Sequence, residues 1–210
     1  MNIQVFPCGD LQENSYVITD EQTGKRAVVD PGVLTPGLRQ AAGDNVVAIL
    51  LTHGHFDHMG GAKELQEITG APVYLLALEK DLLQNPTKNL SKFFGPVEPP
   101  ETLPLLNDGD PVAVGQVTLT VTATPGHTAG GACYGCEEEG VLFTGDTLFA
   151  GSCGRTDFPT GDAGAMRRSL QKLTAWPDQT VVYPGHGPKS TIGDEKRRNP
   201  YMNGGLVCFI

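Results

Sequence analysis

Val46-Val47-Ala48-Ile49-Leu50-Leu51, followed at once by Thr52-His53-Gly54-His55-Phe56-Asp57-His58, decides how this chain is read. The six apolar residues have the length and continuity of a buried strand. After the histidines, Met59 to Ile68 carry apolar residues at helical spacing. The run stops at Gly70 and Pro72, which predicts a helix over 59–69. Four side chains that bind divalent metals, His53, His55, Asp57 and His58, are therefore packed into one strand-to-helix connection. Alternate side chains on an extended segment point the same way, so His53 and His55 can reach one ion together. Gly54 leaves the backbone free to bend between them. Asp57 and His58 lie past the turn and face a second, adjacent point.

Length and composition narrow the field. The 210 residues suffice to bury a core unaided, and no apolar run is long enough to cross a bilayer. The start, Met1-Asn2-Ile3-Gln4-Val5-Phe6, lacks the charged-then-apolar layout of a secretion signal, so a cytoplasmic protein is expected. A formal net charge of −9 with no local basic patch argues against nucleic acid as a partner. The densest basic run, Lys196-Arg197-Arg198, reads as a solvated face. Five cysteines (Cys8, Cys133, Cys136, Cys153, Cys208) are an odd number and do not suggest a disulfide framework. Cys133 and Cys136 have the spacing of half a zinc knuckle, but no second pair matches them, and they read as buried thiols.

In chain order, 2–6, 14–19 and 25–30 read as strands, with Asp20 to Gly24 as the turn between the second and third. A helix follows, with Thr35 as N-cap, Pro36 at its first position and Gly43 past its end. Pro72 to Leu76 is a short strand, and Leu78, Leu82 and Leu83 mark a helical segment. Residues 84–104 break the pattern and suggest either a lid over a site or a disordered connection. A half-buried strand follows, with Val117, Leu119 and Val121 alternating with polar residues. Then come a hairpin (131–136 and 141–144), a helix over 162–174 with Asp162 as N-cap, and a strand at 180–183. Asp30, His53, His127, Asp146 and His186 each follow directly on an apolar strand, and such strand ends converge on one edge of a layered protein. The order strand, Asp, helix, strand, His-Gly occurs at 25–54 and again at 141–187, which hints at two related sheet halves packed together.

All five histidines lie in these strand-end loops. Neutral imidazole is the commonest metal ligand at this pH, so a metal centre is expected. By position, His53, His55 and His127 would hold one ion and Asp57, His58 and His186 a second, with Asp146 bridging them through its two oxygens. Such ions sit about 3.5–4 Å apart and make water reactive between them. Imidazole and carboxylate suit zinc, iron or manganese, and zinc is the first expectation. The acids expected to act in the chemistry are Asp57 and Asp146. Asp30 stands behind them, either as the partner that holds a ligand histidine by its other nitrogen or as a turn residue before Pro31.

The pattern His53-x-His55-x-Asp57-His58, with His127, Asp146 and His186, resembles the metallo-β-lactamase superfamily. Asp146-Thr147-Leu148-Phe149 with Gly151 to Asp157 is similar to its glyoxalase II-like hydrolases. Pro184 to Gly193, with Glu195 and Asn199-Pro200, resembles a short bacterial subgroup. The resemblance implies an α+β fold, a four-layer αββα sandwich forming one domain over 1–210 without a separate C-terminal helical domain. It also implies hydrolysis of a small-molecule thioester such as S-lactoylglutathione, by a monomer or homodimer. Where glyoxalase II has Gly-Lys-Phe-Tyr, this chain has Arg155-Thr156-Asp157-Phe158 after Gly154, so the lysine and tyrosine expected to touch glutathione are replaced. Arg155 would either bind a substrate carboxylate or pair with Asp157. Gly151 to Phe158 is also similar to the persulfide dioxygenases, in which His53, His127 and Asp146 would hold a single iron.

Overall fold

Alternation along the strands sorts the apolar residues into three separate cores, and three cores need four layers. The computed structural model describes residues 1–203, with the backbone alone at 102 and 103. One sheet runs β1 (Asn2–Cys8), β2 (Glu13–Thr19), β3 (Arg26–Val29), β4 (Val46–Leu50), β5 (Val73–Leu76) and β6 (Thr102–Leu106), in that spatial order. The second contains β7 (Pro111–Val114), β8 (Val117–Ala123), β9 (Ala132–Cys136) and β10 (Val141–Gly145). After a small separate hairpin of β11 (Leu148–Phe149) and β12 (Ser152–Cys153), it gains β13 (Val181–Pro184) and β14 (Ser190–Thr191), and its order is β14-β13-β10-β9-β8-β7.

Tyr16, Ile18, Ala27, Val29, Ala48 and Leu50 point from the first sheet toward Leu119, Val121, Tyr134 and Phe143 of the second, forming the central core. Their neighbours Val17, Val28 and Ile49 point the other way, as the period of two requires. They pack on α1 (Pro36–Ala42), through Leu38, and on α3 (Ala62–Thr69), through Leu65. Behind the second sheet, Leu142 and Val182 pack against Met166, Leu170 and Leu173 of α6 (Ala163–Leu173) and Ile192 of α7 (Ile192–Arg198). The result is the expected αββα sandwich. The echo between the halves also has a structural form, since β3–β4 and β10–β13 are both parallel pairs crossed by a helix.

The helical caps follow their sequence signals: Thr35 Oγ1 accepts from the Leu38 N–H, and Asp162 accepts from that of Ala165. The expected helix over 59–69 differs. It is split into α2 (Phe56–Met59) and α3, so Asp57 and His58 sit on a helical turn and not in a loop. The break falls where the Pro31-Gly32 backbone crosses: the Gly61 N–H donates to the Pro31 carbonyl at 2.7 Å. A Cβ on Gly32 would lie 1.8 Å from the Asp57 carbonyl oxygen. Residues 84–104 are only partly irregular, holding α5 (Ser91–Phe94) and the start of β6, while α4 (Lys80–Gln84) ends at their first residue. Strands β6 and β7 and helix α7 were not anticipated. Cys8, Cys133 and Cys136 are buried free thiols, and Cys208 lies outside the described residues. Among the described residues no helix is long and apolar enough to cross a membrane.

Candidate metal centre

Two buried tyrosines fix the strand ends that carry the histidines. Tyr134 donates to the Leu51 carbonyl at 3.0 Å, just before His53, and Tyr16 donates to the Pro184 carbonyl at 2.6 Å, just before His186. Each hydroxyl ties one sheet to the loop of the other. The five strand ends therefore meet along one edge of the sandwich. His53 Nε2 lies 3.0 Å from His55 Nδ1, which lies 2.9 Å from His127 Nε2. Asp57 Oδ2 lies 3.4 Å from His186 Nε2 and 3.8 Å from His58 Nε2. Asp146 stands between these groups. Its Oδ1 is 3.4 Å from His58 Nε2, and its Oδ2 is 3.5 Å from His127 Nε2 and 3.7 Å from His186 Nε2.

The outer ring nitrogens are held by hydrogen bonds, which aims the inner ones. His127 Nδ1–H donates to the Arg155 carbonyl at 2.8 Å. Asp30 accepts from the Thr52 N–H at 2.7 Å and the Thr52 hydroxyl at 2.6 Å, and its Oδ2 lies 3.0 Å from His58 Nδ1. The Thr52 oxygen, its proton given to Asp30, accepts from His53 Nδ1 at 3.2 Å. Asp30 is the turn residue after β3, with φ +46°, and its carboxylate reaches His58 directly and His53 through Thr52.

These residues fit a divalent cation. Ring nitrogens whose partners leave them facing one another cannot all be satisfied by hydrogen bonds. Among the described residues, His55 Nε2, His58 Nε2 and Asp146 Oδ1 are buried without a hydrogen-bond partner, the last two facing each other at 3.4 Å. His53, His55 and His127 form one group of atoms close enough to hold an ion, and Asp57, His58 and His186 form another. Burial holds His53 well below the ordinary histidine range, and burial with the nearby His127 pushes His55 down to about 3. For His58 burial acts downward too, but Asp146, Asp57 and Asp30 outweigh it and raise the ring well above its usual value. Asp146 is held low, the histidines overcoming its burial.

The metallo-beta-lactamase superfamily matches residues 8–186. The chain belongs to this superfamily. An uncharacterized protein from Mycobacterium leprae, ML0493, is 39% identical, with 97% of this chain and all of that protein (100%) aligned. The hydroxyacylglutathione hydrolase GloC of Haemophilus influenzae is 34% identical over 97% of this chain and 99% of its own. Among solved structures of the superfamily, the BLEG-1 B3 metallo-β-lactamase has a TM-score of 0.88 at 35% identity, covering 97% of this chain and 100% of that one. TTHA1623 in a di-iron-bound form has a TM-score of 0.81 at 36% identity, covering 94% and 99%.

Three features of this superfamily member were not legible in its sequence as site residues. Glu79 is fully buried, without a cationic partner among the described residues. Its carboxylate accepts from the Gly54 N–H at 3.1 Å and the Gly130 N–H at 2.7 Å, joining the His53–His55 loop to the one after His127. Gly54, expected to supply a bend, supplies close approach instead: a Cβ there would lie 3.1 Å from Leu83 Cα. Glu13 is also fully buried, with Oε1 unpartnered and 3.9 Å from His58 Nδ1. Arg155 lines the cleft above the cluster, but its guanidinium forms two bonds of 2.6 Å to Asp157 and stacks over Phe158 at 3.9 Å. That geometry favours the pairing with Asp157 over a free substrate-binding fork.

Proposed function

We propose that this chain hydrolyses thioesters, with two divalent cations, zinc first among the candidates, held by its histidines and aspartates. The observation that carries the reading is one constellation. Seven ligand-type residues meet, five of them (His55, Asp57, His127, Asp146 and His186) lining an open cleft of about 410 Å³, and three of their buried polar atoms have no hydrogen-bond partner among the described residues. His53, His55 and His127 would hold one ion and Asp57, His58 and His186 the other, with Asp146 offering an oxygen to each. Bound there, such ions supply Lewis-acid polarisation of a carbonyl and a water that is nucleophilic near neutral pH.

The protein's own groups do the rest. Asp30 and the Arg155 carbonyl keep the imidazoles turned inward. Asp57, kept low in pKa by His58 and His186 against its burial, lines the cleft as an ionised acceptor that can orient a water. The apolar walls, among them Phe56, Phe94, Phe149 and Phe158, offer no proton to a leaving group. Among the described lining residues, only the proposed ligands and the Asp157-bound Arg155 carry exchangeable side-chain protons. A thiolate, whose conjugate acid has a pKa of about 8.5, leaves without being protonated, whereas an amide nitrogen does not. This is what favours a thioester over a lactam. The name of the Haemophilus relative supports the same class.

The test is metal-loaded protein assayed in parallel on S-lactoylglutathione, neutral acyl thioesters, a chromogenic β-lactam, and glutathione persulfide in an oxygen electrode, with elemental analysis alongside. Thioester turnover with two ions per chain is expected. A single iron with oxygen uptake on the persulfide, and no thioester turnover, would replace this reading with an oxidoreductase.

A further inference from the structure

The cleft over the metal cluster continues past Phe56. The Phe56 and Phe94 rings stack with centroids 4.6 Å apart and planes 7° from parallel. On their far side lies a second hollow, of about 640 Å³, which shares Leu11, Phe56, Asp57 and Phe94 with the cleft. The saddle between the two is built into the chain: the Phe56 N–H donates to the Asn89 carbonyl at 3.0 Å, just before the turn that carries Phe94.

The hollow is apolar where it matters. Val33, Leu34 and Val97 wall it, over a floor of backbone at Gly32, Gly60 and Gly61. Leu11, Val33 and Phe94 are 47%, 46% and 60% exposed, and all three line this one concavity. Large apolar side chains left in water around a hollow that opens onto a reactive centre mark a ligand groove. Its only charged lining residues besides Asp57 are Asp10 and Glu64, both acidic, and Glu64 is 3.6 Å from Arg39. No cation lines it among the described residues. Thiol carriers bearing carboxylates or phosphates are repelled by such a rim, whereas a hydrocarbon is not.

We propose that this hollow receives the acyl half of the substrate. That half is an alkyl or aryl group larger than lactoyl, running from the carbonyl at the cluster across Phe56 and Phe94 to Val33 and Val97. The proposal rests on the thioesterase reading and narrows its substrate class. It is tested with acyl thioesters of one neutral thiol, N-acetylcysteamine, from acetyl to decanoyl. Full burial of a methylene is worth roughly fourfold, so a one-sided groove should raise kcat/KM by about two- to threefold per methylene. Val33→Asp, at a half-exposed position where folding tolerates a charge, should flatten that slope. Turnover with no dependence on chain length would overturn the hollow and leave the thioesterase reading standing. If no thioester is turned over, that reading falls, and the hollow is decided by calorimetry with non-hydrolysable alkyl ketone analogues. Binding that tightens with chain length and weakens in Val33→Asp keeps the groove as an apolar site. No binding ends it.

Discussion

Asp146 is the residue on which the two ion positions would depend together. Its two oxygens face different histidines, Oδ1 lying 3.4 Å from His58 Nε2 and Oδ2 3.5 Å from His127 Nε2. Asp146→Ala should abolish activity and weaken binding at both positions, as read by elemental analysis after desalting. Retained activity, or two ions still bound, would refute a bridging role. Arg155 should matter far less. An exposed pair of this kind contributes little, and its fork is already filled by Asp157. Arg155→Ala should therefore lower kcat/KM on S-lactoylglutathione by no more than about fivefold, the equivalent of ~1 kcal/mol. A hundredfold loss would mean that the guanidinium leaves Asp157 for a substrate carboxylate.

At the scale of elements, the turn Ala77–Glu79 after β5 performs a task nothing in its sequence announces. Leu78, Leu82 and Leu83 mark a helical segment there, but Glu79 beside them is enclosed and holds two loops by their backbone N–H groups. Glu79→Gln would turn one acceptor oxygen into an amide that opposes an N–H. A cost of about 1–3 kcal/mol in stability is expected, together with weaker binding at the three-histidine position and little change at the other. Cobalt titration followed by its visible spectrum separates the two positions, and equal weakening of both would show a merely structural role. Strands and helices with long apolar runs or clear caps, such as β4, α1 and α6, were legible because one signal dominated each. Helix α2 was not, because its four residues hold no apolar period and are set by the crossing of Gly32. Helix α7, largely charged, and the short edge strand β7 carry too little apolar pattern to be read from sequence.

For the molecule as a whole, the convergence of ligand-type residues was legible, because apolar strands ending in His or Asp must bring those ends to one edge of a sandwich. The tyrosine ties between sheets and the hollow beyond Phe56 were not, since they depend on distant elements meeting. The charge balance of that edge carries the last prediction. In the metal-free fold His58 is raised above its ordinary value, so near neutral pH it holds a proton that its unfolded counterpart begins to lose. Its contribution is complete below about pH 6.5 and is lost as pH rises through the raised value. His186 is shifted in the same direction, because its hydrogen bond to Asp57 and the charges of Asp146 and Asp57 together outweigh burial. A bound cation must displace these protons, so metal affinity, and the stability it adds, should grow with pH by up to ~1.4 kcal/mol per unit for each proton released. The gap in Tm between metal-loaded and chelator-treated protein should widen from pH 6 to pH 8, about the span over which histidine titrates. A gap that is constant or narrows would show that His58 and His186 are already neutral before metal arrives. The carboxylates Asp30, Asp57 and Asp146 would then have failed to set the charge state of the edge they surround.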